Sequence, residues 1–144
     1  VNAAPGLRMH LAPTEGEPRN VAAPILDMLF PGKANGRIPI LAITGTNGKT
    51  TTTRLAAHLV RTAGRRVGFT TTDGVYIHNT LVHKGDCTGP VSAAQVLLDP
   101  WVDFAVLESA RGGLLRSGLA FDKCDVAIVT NVADDHLGQD GIHT

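Results

Sequence analysis

The chain has 144 residues, 43% of them hydrophobic and 18% charged, and its 13 basic residues balance its 13 acidic ones. One domain's worth of chain with that apolar content supports a buried core and excludes global disorder, while zero net charge argues against a general nucleic-acid or polyanion binder. Cys87 and Cys124 stand far apart without metal-site spacing, which suggests a reducing compartment, and no apolar run approaches the ~18 residues of a membrane span.

The start of the chain differs from the rest. Residues 1–19 are rich in Pro, Gly and polar side chains and show no period. No basic start leads into an apolar core, so no signal peptide is expected. The location is expected to be cytoplasmic, with no nucleic-acid and no membrane partner. Val1 is not an initiator, which reads as a piece cut from a longer chain. Asn20 is placed to cap a short helix over 21–30, apolar at 21, 25, 26, 28 and 29. Residues 32–37 then read as a linker.

From residue 38 the pattern becomes β-α-β. Residues 38–44 form a continuous apolar strand of the kind a parallel sheet covers on both faces. A helix follows over 50–62, with Leu55, Ala56, Leu59 and Val60 as its stripe and Gly64 as its C-terminal cap. A second strand spans 66–72. Val75-Tyr76-Ile77 and Thr80-Leu81-Val82 flank His78-Asn79 as a small hairpin. Residues 90–98 read as a helix with Pro90 in its first turn. Residues 104–107 and 126–130 are expected to be short buried strands, with a short helix between them near 114–117. Trp101 is read as local packing, and Lys84 and Asp86 are assigned nothing. The fold class is α/β: a P-loop-type, mostly parallel sheet flanked by helices, and a partial domain.

The chemistry concentrates where the first strand meets its helix, at Gly45-Thr46-Asn47-Gly48-Lys49-Thr50. The first N–H groups of a helix lack partners and the helix dipole adds positive charge there, so a phosphate fits. Glycines let the backbone approach it closely. Lys49 would place a point charge on the β- and γ-phosphates, and the Thr50 hydroxyl would ligate Mg²⁺. The full phosphate-loop pattern wants Gly at position 43, where Ile43 stands, so the match is a shortened Gly-x-x-Gly-Lys-Thr. The bland alternative is a tight β-α turn with a solvated lysine.

That hexapeptide resembles the nucleotide loop of the Mur ligase family, ATP-dependent enzymes that form amide bonds. Val106-Leu107-Glu108 is similar to the family's strand-end glutamate. Asn131-Val132-Ala133-Asp134-Asp135-His136-Leu137 is similar to its Asn-x-x-x-Asp-His-Leu segment. The resemblance implies that Gly45, Thr46, Asn47, Gly48, Lys49, Thr50 and Thr51 bind ATP. It implies that Glu108 and His136 help hold a second Mg²⁺ between the nucleotide and the acyl group, besides the Mg²⁺ read for Thr50, and that Lys49, Glu108 and His136 serve catalysis. A hard cation with phosphate ligands also favours oxygen donors at strand C-termini, and Glu108 follows an apolar strand directly. For Glu108 the other reading is a helix-start residue, and for His136 a cap or packing histidine.

Residues 108–118, with Gly85-Asp86-Cys87-Thr88-Gly89-Pro90 before them, resemble a branch of the family that extends a polymer with an aspartate backbone and arginine side branches. Residues 1–10 are similar to the end of the ATP-grasp domain that precedes the Mur-like domain in that branch. There Asn2 matches an Asn lying two positions after a metal-binding Glu. The resemblance thus implies residues 1–31 as an ATP-grasp remnant and 38–144 as the N-terminal part of a Mur-like ATP-binding domain. The implied partners are ATP, L-arginine, L-aspartate and a poly-aspartate primer, within a homo-oligomeric parent. Thr70-Thr71-Thr72-Asp73 reads either as acceptor-site lining or as a loop satisfying its own backbone. Arg111 and Arg116 read as contacts to an acidic polymer or as ordinary surface arginines. The family's further metal-site lysine, adenine pocket and amine-binding domain are expected beyond Thr144, so residues 1–144 alone are expected to lack ligase activity. The competing functions are a P-loop NTPase switch, a peptidoglycan-precursor ligase and a non-catalytic relic.

Overall fold

A computed structural model describes residues 6–32 and 34–134. Backbone contacts divide the chain into two compact units, Val1–Arg37 and Ile38–Thr144. In the first, α1 (Arg8–Leu11) is a single turn with no forerunner in the sequence pattern, and α2 is Ala22–Leu29. Asn20 acts as foreseen: its side-chain oxygen accepts the Ala23 N–H at 3.1 Å and satisfies a donor of the first turn.

The second unit alternates strands and helices: β1 (Ile40–Thr44), α3 (Lys49–Thr62), β2 (Val67–Thr71), β3 (Gly74–Ile77), β4 (Thr80–Lys84), α4 (Pro90–Leu97), β5 (Phe104–Glu108), α5 (Arg111–Ser117) and β6 (Val126–Val129). The strands form one six-stranded sheet in the order β4-β3-β2-β5-β1-β6. β2, β5, β1 and β6 are parallel, and the hairpin β3–β4 adds antiparallel strands at one edge. This is the α/β architecture expected. His78 (φ 49°) and Asn79 (φ 74°) both take positive φ, as a two-residue hairpin turn requires. Gly64 closes α3 with φ 85°.

The core lies on both faces of the sheet. Along β5, Ala105 and Leu107 pack with Ala93 and Val96 of α4, while Val106 packs with Ile43 and Ala57 on the α3 side. The period of two in a strand sends neighbouring side chains to opposite faces.

Four expectations are corrected. α3 buries Thr53 and Ala57, with Ala56 and Val60 alongside, whereas Leu55 and Leu59 are 57% and 59% exposed. The row that meets the sheet is 53, 56, 57 and 60, made of small side chains that let the helix lie close. β6 is not buried: Val126 and Val129 are 55% and 59% exposed, because among the described residues this edge strand pairs only with β1. Trp101 is 66% exposed rather than packed. α5 begins at Arg111, three residues before the expected helix, so Arg111-Gly112-Gly113 is helical.

Candidate functional site

The parallel strands β1, β2, β5 and β6 end at one edge of the sheet, at Thr44, Thr71, Glu108 and Val129. In open α/β sheets ligands bind outside such carboxyl ends. The candidate loop connects β1 to α3 there. Gly48 caps α3 in the left-handed region at φ 83°. Gly45 has φ 129°, and a Cβ there would stand 2.2 Å from Thr130 Oγ1 and 2.9 Å from the Asn131 carbonyl oxygen. Only glycine satisfies both the angle and the approach.

The loop is pinned by the segment after β6. The Thr46 N–H donates to the Asn131 carbonyl at 2.9 Å. The Asn131 side chain brackets Asn47, accepting its N–H at 3.0 Å and donating to its carbonyl at 2.9 Å. The Ala133 N–H donates to Thr46 Oγ1 at 3.0 Å. Asn131 was no candidate site residue on sequence grounds. Its only signal was the first position of the Asn-x-x-x-Asp-His-Leu segment.

Lys49 Nζ donates to the carbonyls of Gly45 and Thr46, both at 2.9 Å, so its ammonium lies over the loop. The Thr50 hydroxyl donates to Glu108 Oε2 at 2.9 Å and lies 3.1 Å from the Thr72 hydroxyl. Thr51 is exposed on the first turn of α3. Glu108 is 2% exposed, and its backbone N–H donates to Thr70 Oγ1 at 3.2 Å. Its Oε1 is buried without a hydrogen-bond partner among the described residues. Burial pushes the Glu108 carboxyl above the ordinary range, against the opposing pull of the Thr50 hydroxyl, the Lys49 charge and the Thr72 backbone.

These groups fit a hard cation. A buried carboxylate with one orphaned oxygen, beside a hydroxyl at a helix start, is an oxygen donor set that Mg²⁺ would complete. Asn2 and His136, the other metal-site expectations, lie outside the described residues.

A cavity of about 650 Å³ opens beside the loop. Gly45, Thr46 and Lys49 form one wall, and Asp86, Thr88, Arg111 and Arg116 contribute others. The two arginines therefore share a cavity with Lys49, and so does Asp86, to which the sequence pattern assigned nothing. Asp86 Oδ1 accepts the N–H and hydroxyl of Thr88 at 3.2 and 2.8 Å. The residues of the 70–73 stretch do not line this cavity. Thr70 and Thr71 are fully buried, and the stretch bonds to Glu108, to Thr50 and within itself.

Comparison with known proteins gives this geometry a context. Residues 43–142 match the family model of the Mur ligase middle domain. The whole chain is 68% identical over 144 residues to a cyanophycin synthetase of Crocosphaera subtropica, of which it spans 16%. It is 32% identical over 124 residues to the UDP-N-acetylmuramoyl-L-alanyl-D-glutamate–2,6-diaminopimelate ligase of Geobacillus thermodenitrificans, covering 83% of this chain and 25% of that one. A solved structure of a ligase with that same substrate name superposes with a TM-score of 0.59 at 31% identity, over 79% of this chain and 23% of the other. No helix among the described residues is long and apolar enough to cross a membrane.

Proposed function

The chain belongs to the Mur ligase family, whose middle domain it matches over residues 43–142, and from that premise we propose that it forms the nucleotide site of an ATP-dependent carboxylate–amine ligase. The observation that carries this reading is the convergence of Lys49, Thr50 and the buried, half-orphaned Glu108 at one end of the sheet. The likeness to cyanophycin synthetase supports a narrower version. In it, L-arginine is joined to the side-chain carboxylate of an aspartate polymer, in a longer cytoplasmic protein, with residues 1–31 ending an ATP-grasp domain that adds L-aspartate. Residues 32–37 would be the linker and 38–144 the start of the Mur-like domain.

The reaction begins when a carboxylate oxygen attacks the γ-phosphorus of ATP and ADP leaves with the electrons of the broken P–O bond. The amine then attacks the acyl carbon, phosphate departs, and the nitrogen loses a proton to give the amide. The first step brings anion to anion, so the work is positioning and charge neutralisation. The N–H groups at the start of α3 would hold the phosphates. Lys49, released from the Gly45 and Thr46 carbonyls, would follow the charge of the transferred phosphoryl group. Arg111 and Arg116 lie in the cavity where an acidic polymer would arrive. Thr50, Glu108 and His136 are the residues to hold Mg²⁺, with Asn2 serving the ATP-grasp site. When bound, the ion would offset phosphate charge and align the incoming carboxylate.

The test is chemical trapping. The full-length protein carrying these residues, given Mg²⁺, ATP, an aspartate primer and hydroxylamine in place of arginine, should accumulate a primer hydroxamate and ADP. ATP hydrolysis indifferent to the primer, with no hydroxamate, would replace the ligase with a nucleotide-driven switch.

A further inference from the structure

The turn joining β2 to β3 is tied to α3 twice. The first tie is at the nucleotide site, where the Thr72 and Thr50 hydroxyls lie 3.1 Å apart and Thr50 donates to Glu108. The second lies four residues along α3. There the Arg54 guanidinium donates to the Asp73 carboxylate and, at 3.0 Å, to the Tyr76 hydroxyl. Asp73 also accepts from the Thr71 hydroxyl and, at 3.1 Å, from the Tyr76 hydroxyl. The Arg54 guanidinium carbon lies 5.1 Å from the centroid of the Tyr76 ring, and that ring stacks on Phe69 at 4.6 Å. Arg54, Asp73 and Tyr76 are therefore each held by at least two others.

The pair sits in solvent: the Arg54 and Asp73 side chains are 45% and 52% exposed. An ion pair that wet contributes little to stability. What it can do is fix geometry. Residue 54 lies one helical turn after 50, and residue 73 directly follows 72, so the exposed tie sets the separation across which Thr72 meets Thr50. Thr50 in turn donates to the Glu108 carboxylate, so Thr72, Thr50 and Glu108 form one chain of contacts.

We propose that Arg54, Asp73 and Tyr76 are positioning residues for phosphoryl transfer. They clamp the β2–β3 turn onto α3, and through Thr72 they keep the Thr50 hydroxyl and the Glu108 carboxylate in register. The proposal rests on the ligase reading above and deepens it. None of the three touches the reacting atoms. A shift of the β2–β3 turn and its Thr72 hydroxyl by a fraction of an ångström would loosen the donor set while leaving the phosphate loop, pinned separately by Asn131, able to bind nucleotide.

The experiment uses the full-length protein as wild type, Arg54→Ala, Asp73→Ala, the double variant and Arg54→Lys. It reads turnover, KM for ATP, the half-saturating Mg²⁺ concentration, and Mg²⁺-dependent ADP binding by calorimetry. Each alanine variant should lower kcat about tenfold and raise the Mg²⁺ requirement about threefold, with KM for ATP changed by less than about twofold. The double variant should be no worse than the poorer single one, since both break one tie. Arg54→Lys should recover most of the loss. Unchanged kcat and Mg²⁺ requirement in the single variants, or multiplying losses in the double, would overturn the clamp. So would a fall in thermal midpoint that accounts for the lost activity with the Mg²⁺ requirement unmoved. If the wild type joins no arginine at all, it is the ligase reading that fails. The clamp then stands or falls on whether the alanine variants raise the Mg²⁺ needed for ADP binding.

Discussion

Burial to 2% exposure puts the Glu108 carboxylate where water cannot solvate it, with one oxygen held by Thr50 and the other unpartnered. Desolvation raises its pKa, so the folded protein holds this proton more tightly than the unfolded chain does. Between the ordinary carboxylate range and the raised folded value, the folded state binds more protons. Stability from Glu108 is therefore fully present at low pH and is lost as pH rises through that window. Asp73 has the opposite sign. The Thr71 hydroxyl foremost, then Tyr76 and Arg54, lower its pKa, so its contribution disappears as pH falls through its folded value. In chelator, Glu108→Gln should raise the thermal midpoint at neutral pH and leave it little changed in acid. A variant that melts below wild type at neutral pH without metal would contradict the electrostatic reading of this site. Lys49 and Thr50 were readable as candidates because loop chemistry is local, two glycines, a lysine and a hydroxyl at the start of a helix, and Glu108 because it follows an apolar strand directly and resembles the family's strand-end glutamate. The pairing of Thr50 with Glu108 was not, because 58 residues separate them and only the sheet brings them together.

The phosphate loop is an element held from outside. Asn131 bonds to the backbone of Thr46 and Asn47 and Ala133 to the Thr46 hydroxyl, across more than eighty residues, and no pattern within the hexapeptide announces that support. Gly45→Ala tests it. A methyl there meets the Thr130 hydroxyl at 2.2 Å and the Asn131 carbonyl at 2.9 Å, at a φ of 129° that L side chains rarely adopt. The substitution should destabilise the protein by about 1–3 kcal/mol or more and weaken ADP binding together with it, read by thermal melting and calorimetry. Unchanged melting and binding would mean that the loop does not take this conformation. The hairpin was legible because its turn is two residues long and its flanks alternate. The α3 stripe was misread for a physical reason. Counting apolar residues identifies rows of a helix, but which row meets the sheet depends on how closely the two pack. Here Thr53, Ala56 and Ala57 allow the closer approach and the leucines lie outside it. β6 was misjudged likewise, since a strand's place at the sheet edge belongs to topology and not to its own residues.

At the scale of the molecule, two compact units divide at Arg37 and Ile38, and the second carries every described candidate for nucleotide and metal binding. The α/β class followed from the alternation of apolar runs and helical periods, which needs no long-range information. The cavity did not, because Asp86, Arg111 and Lys49 come to it from three separate connections of the sheet. The chain spans 16% of its cyanophycin synthetase relative, and in the longer ligase proposed above it would contribute the phosphate cradle and lining of the cavity beside it. The most direct measurement is incorporation of labelled arginine by that full-length protein, with Mg²⁺, ATP and an aspartate primer, in wild type and in Lys49→Ala. Incorporation that requires the primer and falls at least about a hundredfold in the variant is the expected result. Incorporation that persists in Lys49→Ala would contradict the account, because the charge it assigns to the transferred phosphoryl group would then come from elsewhere.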